Sequence, residues 1–321
     1  MRFKLTIVLL ALLPLIFGCK NNPKIKQDST ITVFHAGSLS KPLKVIADSF
    51  MLENPEVKVL LEAAGSVECA RKITELGREC DLMFSADYKV IDELLIPEFA
   101  SWNILFAGNE LTLVYTPESK FANEINQQNW TEILLKPEVY FGRSDPNSDP
   151  CGYRTILSLK LAEQFYNSPG LTSSFEAKDN RFIRPKEVDL IALLETGAID
   201  YIFLYRSVAI QHGLNYLTLP EEINLGSNSM EANYATASLK IRGSSPGDTL
   251  LIKGEPMVYG FTIVKNAPNF EIANRFAQFF LEKEKGQKLV EQSGMPVLSP
   301  PVVKNEKTVP VSILKIIKRN D

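Results

Sequence analysis

Three loops hold most of the small polar residues that could do chemistry in this chain. They are His35-Ala36-Gly37-Ser38-Leu39-Ser40, Ala64-Gly65-Ser66-Val67 and Asp145-Pro146-Asn147-Ser148-Asp149-Pro150-Cys151-Gly152-Tyr153. Each stands where a strand-like run gives way to a helical pattern. A helix start offers backbone N–H groups without intrahelical partners and a partial positive charge. Such loops suit an anion and need no Lys or Arg to bind it. Capping accounts for each loop singly: Ser40, Ser66 and Asp149 sit where an N-cap belongs, and Pro150 is a good first helical residue. Their joint position in a cleft is the argument for a ligand. Arg184-Pro185-Lys186-Glu187 has the same two readings. Pro185 starts a helix, and Glu187 in its first turn complements the dipole. Tyr205 follows the apolar run Tyr201–Leu204, at a strand's carboxyl end, and by itself reads as a half-buried aromatic beside the hinge.

An enzyme is not expected. Cys151 at a helix start could be an activated thiol, but a cysteine nucleophile needs a His base. The chain has 2 His, His35 and His212, and His212 precedes Gly213 at what reads as a helix end. GxSxG, HExxH, Walker A and GxGxxG do not occur in a strand–helix context. A cysteine hydrolase is the alternative of a different class, and it predicts turnover of an ester or amide.

The loops are positioned by alternating elements. Strands are expected at Thr30–His35, Val57–Glu62, Asp81–Ser85, Leu111–Thr116, Val139–Gly142, Ile199–Tyr205 and Met257–Val264. Helices are expected from Ser40 to Asn54, from Ser66, at Tyr88–Leu95, Pro150–Tyr166, Pro185–Glu195 and Phe270–Phe280. Residues 167–178 read as a surface loop, and 304–321 carry no clear pattern. Strands alternating with helices predict an α/β fold with parallel sheets covered on both faces. Ligands of such sheets bind at the carboxyl ends of the strands. Two such units, one inserted in the other through two crossing strands, would face each other across one cleft.

Composition agrees with this. The chain has 321 residues, 45% hydrophobic and 23% charged, which suits two globular domains. A net charge of -3 argues against nucleic acid as a partner. Arg2 and Lys4 precede an apolar run, Leu5 to Gly18, which reads as a secretory signal peptide. Leu15-Ile16-Phe17-Gly18-Cys19 resembles a bacterial lipobox, so Cys19 is expected to be the acylated first residue of an exported, membrane-anchored lipoprotein. Residues 19–29 would be a polar tether. Cys69, Cys80 and Cys151 form no clear disulfide framework.

Several stretches resemble the molybdate/tungstate-binding proteins of ABC transporters, the tungstate branch in particular. They are Val33–Leu39, Ala64–Val67, Asp149–Arg154, Arg184–Leu190 and Tyr205–Ala209. The resemblance implies a two-lobed type II periplasmic-binding-protein fold, with lobe 1 at 30–112 plus 256–303 and lobe 2 at 113–255. It implies no cofactor, molybdate or tungstate as ligand, an ABC permease as partner and a monomer. Residue by residue, Gly37, Ser38 and Ser66 would donate to oxyanion oxygens. Asp149 and Glu187 would bond the Mo or W centre, with the backbone of Pro150 and Cys151 beside them, and Tyr205 would donate a hydroxyl. The segment between Tyr166 and Arg184 is shorter than in the archaeal pattern. Glu187 is therefore assigned from the RPKEVDL match and not from spacing, and Asp145 rivals Asp149. The same fold could bind sulfate or phosphate instead.

Overall fold

The computed structural model describes residues 29–178, 181–243 and 247–320. The signal segment, Cys19 and nearly all of the tether lie outside the described residues. In chain order the strands are β1 (Thr30–Ala36), β2 (Lys58–Ala64), β3 (Leu82–Ser85), β4 (Asn103–Gly108), β5 (Leu111–Tyr115), β6 (Phe141–Ser144) and β7 (Ile183–Arg184). They continue with β8 (Tyr201–Tyr205), β9 (Asn215–Thr218), β10 (Ser238–Arg242), β11 (Thr249–Lys253), β12 (Val258–Ile263) and β13 (Val297–Lys304). The helices are α1 (Ser40–Glu53), α2 (Ser66–Thr74), α3 (Tyr88–Leu94), α4 (Trp130–Leu135), α5 (Pro150–Phe165) and α6 (Leu171–Lys178). After them come α7 (Ile191–Glu195), α8 (Arg206–His212), α9 (Glu231–Tyr234), α10 (Phe270–Leu281), α11 (Lys288–Gln292) and α12 (Val311–Asn320).

The strands form two large sheets and one hairpin. The first sheet runs β13-β4-β12-β3-β1-β2, the second β7-β6-β8-β5-β9, and β10 pairs with β11. The sheets are mixed, which corrects the expectation of parallel sheets. β1 is parallel to β2 and β3, and β6 to β7 and β8. β12 is antiparallel to β3 and β4, and β5 to β8 and β9. The reversed strands are where the chain changes sheets, leaving the first at Asn109–Glu110 and rejoining it after Lys253.

Each sheet has its own aromatic core. Phe84 stacks on Phe261 at 4.9 Å, and Phe280 meets Phe106 edge-on at 4.9 Å. In the second unit Phe175 packs on Trp130 at 5.6 Å and on Phe141 at 5.3 Å. Phe175 lies on α6, in the stretch expected to be a loop. Gly170 turns the chain at φ 84°, and Leu171 and Phe175, one turn apart, face the core. The tail is ordered too. Ile313, Ile316 and Ile317 lie on one buried face of α12, and Ser312 is hydrogen-bonded to Asn274 on α10.

Candidate functional site

The parallel strands decide which residues meet. The carboxyl ends of β1, β2 and β3 lead into Gly37–Ser38, Gly65–Ser66 and Ala86–Asp87. The ends of β6, β7 and β8 lead toward Asp149, Glu187 and Tyr205. The two sets press together. A Cβ added to Gly37 would stand 2.9 Å from Glu187 Oε2, and one added to Gly65 would stand 2.2 Å from the Ser148 carbonyl oxygen. Neither position has room for a side chain, which is the physical reason for glycine at each. Next to Gly65, the Glu68 N–H donates to the Ser148 carbonyl at 3.1 Å. At the rim, Arg71 Nη1 donates to the Asn147 carbonyl at 2.6 Å, and Arg242 pairs with Glu75 at 2.6 Å.

Two carboxylates sit at the centre of this seam. Asp149 begins α5 as its N-cap and accepts the Cys151 N–H at 3.3 Å. Its other oxygen accepts the Glu187 N–H at 3.0 Å. Asp149 is therefore a cap and also ties the two acidic segments together. Glu187 is 0% exposed, and both of its carboxylate oxygens are without a hydrogen-bond partner. Burial raises the pKa of Asp149 and drives that of Glu187 well up, with the Asp149 charge adding to the effect on Glu187. A buried carboxylate without donors is costly and calls for a compensating group.

Three hydroxyls around the seam share one feature: a protein donor occupies the acceptor side of each. Ser38 Oγ accepts from the Tyr259 hydroxyl at 3.0 Å, and Tyr259 in turn accepts from Asn109 Nδ2 at 3.1 Å. Ser66 Oγ accepts the Ala86 N–H at 2.9 Å. Tyr205 Oη accepts from Arg154 Nη1 at 3.0 Å. Each keeps its own proton to donate, as an oxyanion oxygen requires. Ser66 is thus no helix cap; Gly65 holds the N-cap position. Ser40 does not cap either, since its hydroxyl donates to the Gly37 carbonyl at 2.7 Å. Tyr205 is fully buried, not half-buried.

Pro150 and Cys151 are buried beside Asp149. The Cys151 thiol faces the Phe203 carbonyl at 3.6 Å, and burial drives its pKa well up, the reverse of an activated nucleophile. Asp145 turns its carboxylate onto its own loop, accepting the Asn147 N–H at 2.9 Å. Cys69, Cys80 and Cys151 are all free and buried. Tyr259, Asn109 and Arg154 were not singled out from the sequence. Tyr259 and Asn109 had no signal there, whereas Arg154 stood in the Asp149–Arg154 stretch without a role.

Two α/β units that oppose helix starts across one seam, with crossing strands between them, define the type II periplasmic-binding class. The Azotobacter vinelandii periplasmic molybdate-binding protein has this fold, with a TM-score of 0.62 at 16% identity over 83% of this chain and 98% of that one. The sulfate-binding protein SubI of Mycobacterium tuberculosis gives 0.59 at 14% identity over 91% and 92%. Residues 31–296 match the bacterial extracellular solute-binding protein family. The chain is 47% identical over 291 residues to an uncharacterized solute-binding protein of Petrotoga mobilis, covering 90% of each. It is 40% identical over 332 residues to the molybdate/tungstate-binding protein WtpA of Pyrococcus abyssi, covering 94% of this chain and 95% of that one. The chain belongs to the bacterial extracellular solute-binding protein family, whose members bind solutes and are not enzymes.

Proposed function

We propose that this protein captures molybdate or tungstate outside the cytoplasm and delivers it to an ABC permease. The observation that carries this reading is Glu187, a fully buried carboxylate with two unpartnered oxygens beside Asp149. In the ionised form that bonding to a metal centre requires, these carboxylates would add like-charge repulsion against sulfate or phosphate in a dry site. Their sulfur and phosphorus do not readily accept further oxygen ligands. Mo(VI) and W(VI) are larger and do. Bonding of Asp149 and Glu187 to the metal centre would turn the repulsion into coordination, so the same groups would attract one anion class and reject the other.

Ser38, Ser66 and Tyr205 would donate to the anion's own oxygens, together with the Gly37 loop and the backbone at Pro150 and Cys151. Sequence identity to molybdate/tungstate-binding relatives in Pyrococcus abyssi and Thermococcus kodakarensis, 40% and 41%, supports the same ligand here. The units exchange chain at Asn109–Glu110 and after Lys253, and they would close there about the anion as a hinge. The lipobox-like stretch before Cys19 supports anchoring by acyl chains.

X-ray absorption of the tungstate-loaded protein tests the reading. Six oxygen neighbours, some at longer distance, are expected. Four equal short W–O distances would mean a tetrahedral anion held by hydrogen bonds alone, and coordination by Asp149 and Glu187 would be wrong. Calorimetry with molybdate, tungstate, sulfate and phosphate ranks the ligands, and a preference for sulfate or phosphate would overturn the assignment.

A further inference from the structure

Away from the carboxylate pair, a second buried polar cluster crosses the seam. Arg154 on α5 belongs to the second unit, where α5 packs on β5, β6 and β8. Its guanidinium reaches into the first unit. Nη1 donates to the Ala86 carbonyl at 2.7 Å, and Nη2 stands 3.2 Å from Asp87 Oδ2. The neighbouring Tyr153 hydroxyl donates to the same Asp87 oxygen at 2.6 Å. Arg154 and Asp87 are each 3% exposed. A buried charge pair depends on its partner, because separating the two leaves each charge unmatched. Here the partners belong to different units, so separation of the units is what breaks the pair.

The cluster also joins the candidate site. The Ala86 N–H holds Ser66 Oγ, while the Ala86 carbonyl receives Arg154. The same Arg154 Nη1 donates to Tyr205 Oη. Two of the three hydroxyls are thereby set by the group that spans the seam.

We infer that Arg154, Asp87 and Tyr153 form a latch that holds the two units closed and slows release of the bound solute. None of them need touch the ligand; they are positioning residues. The inference rests on the oxyanion reading for its kinetic test and on geometry alone for the latch itself.

Asp87→Asn is the informative change. Asp87 also caps α3 by accepting the Lys89 N–H at 2.9 Å, and Asn caps about as well. The substitution removes the charge that faces Arg154 and keeps the helix start. Tyr153→Phe removes only the hydroxyl. Stopped-flow measurements with tungstate separate entry from release. Loss of one partner of a buried charge pair acts mainly on release, so Asp87→Asn is expected to release tungstate about 30-fold faster or more. Tyr153→Phe should shift release the same way by about fivefold. Entry rates and ligand-free melting temperatures should stay near those of the parent.

Slower entry with unchanged release would overturn the latch. So would a fall in ligand-free melting temperature in both variants, which would mark a plain structural role. A parent protein that ignores tungstate would refute the oxyanion reading, and a second measurement then decides the latch. Spin labels at Leu52→Cys and Phe165→Cys, exposed positions on α1 and α5, report the separation of the units without ligand. The latch requires a smaller compact population in Asp87→Asn than in the parent. A compact population that is present in the parent and equal in Asp87→Asn would overturn it, as would a parent with no compact population.

Discussion

Gly65→Ala should separate binding from folding. The new Cβ would lie 2.2 Å from the Ser148 carbonyl oxygen, against ordinary carbon–oxygen contacts of about 3.3 Å. Ser148 O is a backbone atom and cannot rotate away, so the two segments must part by about 1 Å. Gly65 and Ser148 lie in different units, so the clash exists only when the units are closed. Within its own unit Gly65 has φ -61° and ψ 144°, which alanine adopts without strain. The closed form loses the Glu68–Ser148 hydrogen bond, about 1 kcal/mol, and takes on overpacking of about 1–3 kcal/mol. A total of about 2–4 kcal/mol weakens binding by about 30- to 700-fold. Calorimetry with tungstate reads the affinity, and a thermal melt without ligand reads the fold. The melt should be unchanged or slightly higher, because alanine restricts the unfolded chain. A dissociation constant within threefold of the parent would refute the clash. A large drop in the ligand-free melting temperature would place the contact within one unit and refute the reasoning as well.

Asp149→Asn keeps the cap on α5 but gives up the acceptor for the Glu187 N–H, so it should weaken molybdate and tungstate binding strongly while lowering the ligand-free melting temperature only by the loss of one hydrogen bond, about 1 kcal/mol. Glu187→Gln should likewise weaken binding of both, and the double variant should gain measurable affinity for sulfate in calorimetry, since the charge that repels it is gone. His35 supplies a pH dependence: burial lowers its pKa from 6.5 to about 4, so the folded protein takes up its proton later than the unfolded chain. Its share of stability is full above pH 6.5 and is lost as pH falls toward 4, by roughly 3 kcal/mol at most. Comparing melts of the parent and His35→Gln across that range isolates this share, and parallel curves would contradict it. Mass spectrometry of the mature N-terminus should find Cys19 first and acylated; an unmodified terminus elsewhere would exclude the anchor.

The strand-to-helix junctions were legible because they depend on local chemistry. Asp149-Pro150 announces a helix start, a β-branched run announces β1, and an apolar, largely aromatic run announces β8. Strand direction was not legible. The Met257–Val264 run is apolar throughout, and such a run fits a parallel or an antiparallel neighbour equally well. Leu171 and Phe175 were hidden by the polar residues between them, and the α12 isoleucines by the Lys and Arg on its outer face. At the site, Asp149 and Glu187 lie 38 positions apart, and the RPKEVDL motif, not spacing, pointed to the second. Tyr259 had no such signal. A tyrosine inside an apolar strand reads as core, and its partner Ser38 lies 221 positions away.

Ala86 has a consequence for how this protein is dissected. Its N–H serves a hydroxyl of the candidate site and its carbonyl serves Arg154, while its methyl group takes part in neither bond. Truncation scanning, which tests residues by removing side chains, would pass over a residue whose two backbone faces join the candidate site to the proposed latch. The connection is written in a single backbone unit. Replacing one flanking amide with an ester would silence one face at a time. Without the Ala86 N–H, Ser66 would be loosened and the latch left whole; with a weakened Ala86 carbonyl, the reverse.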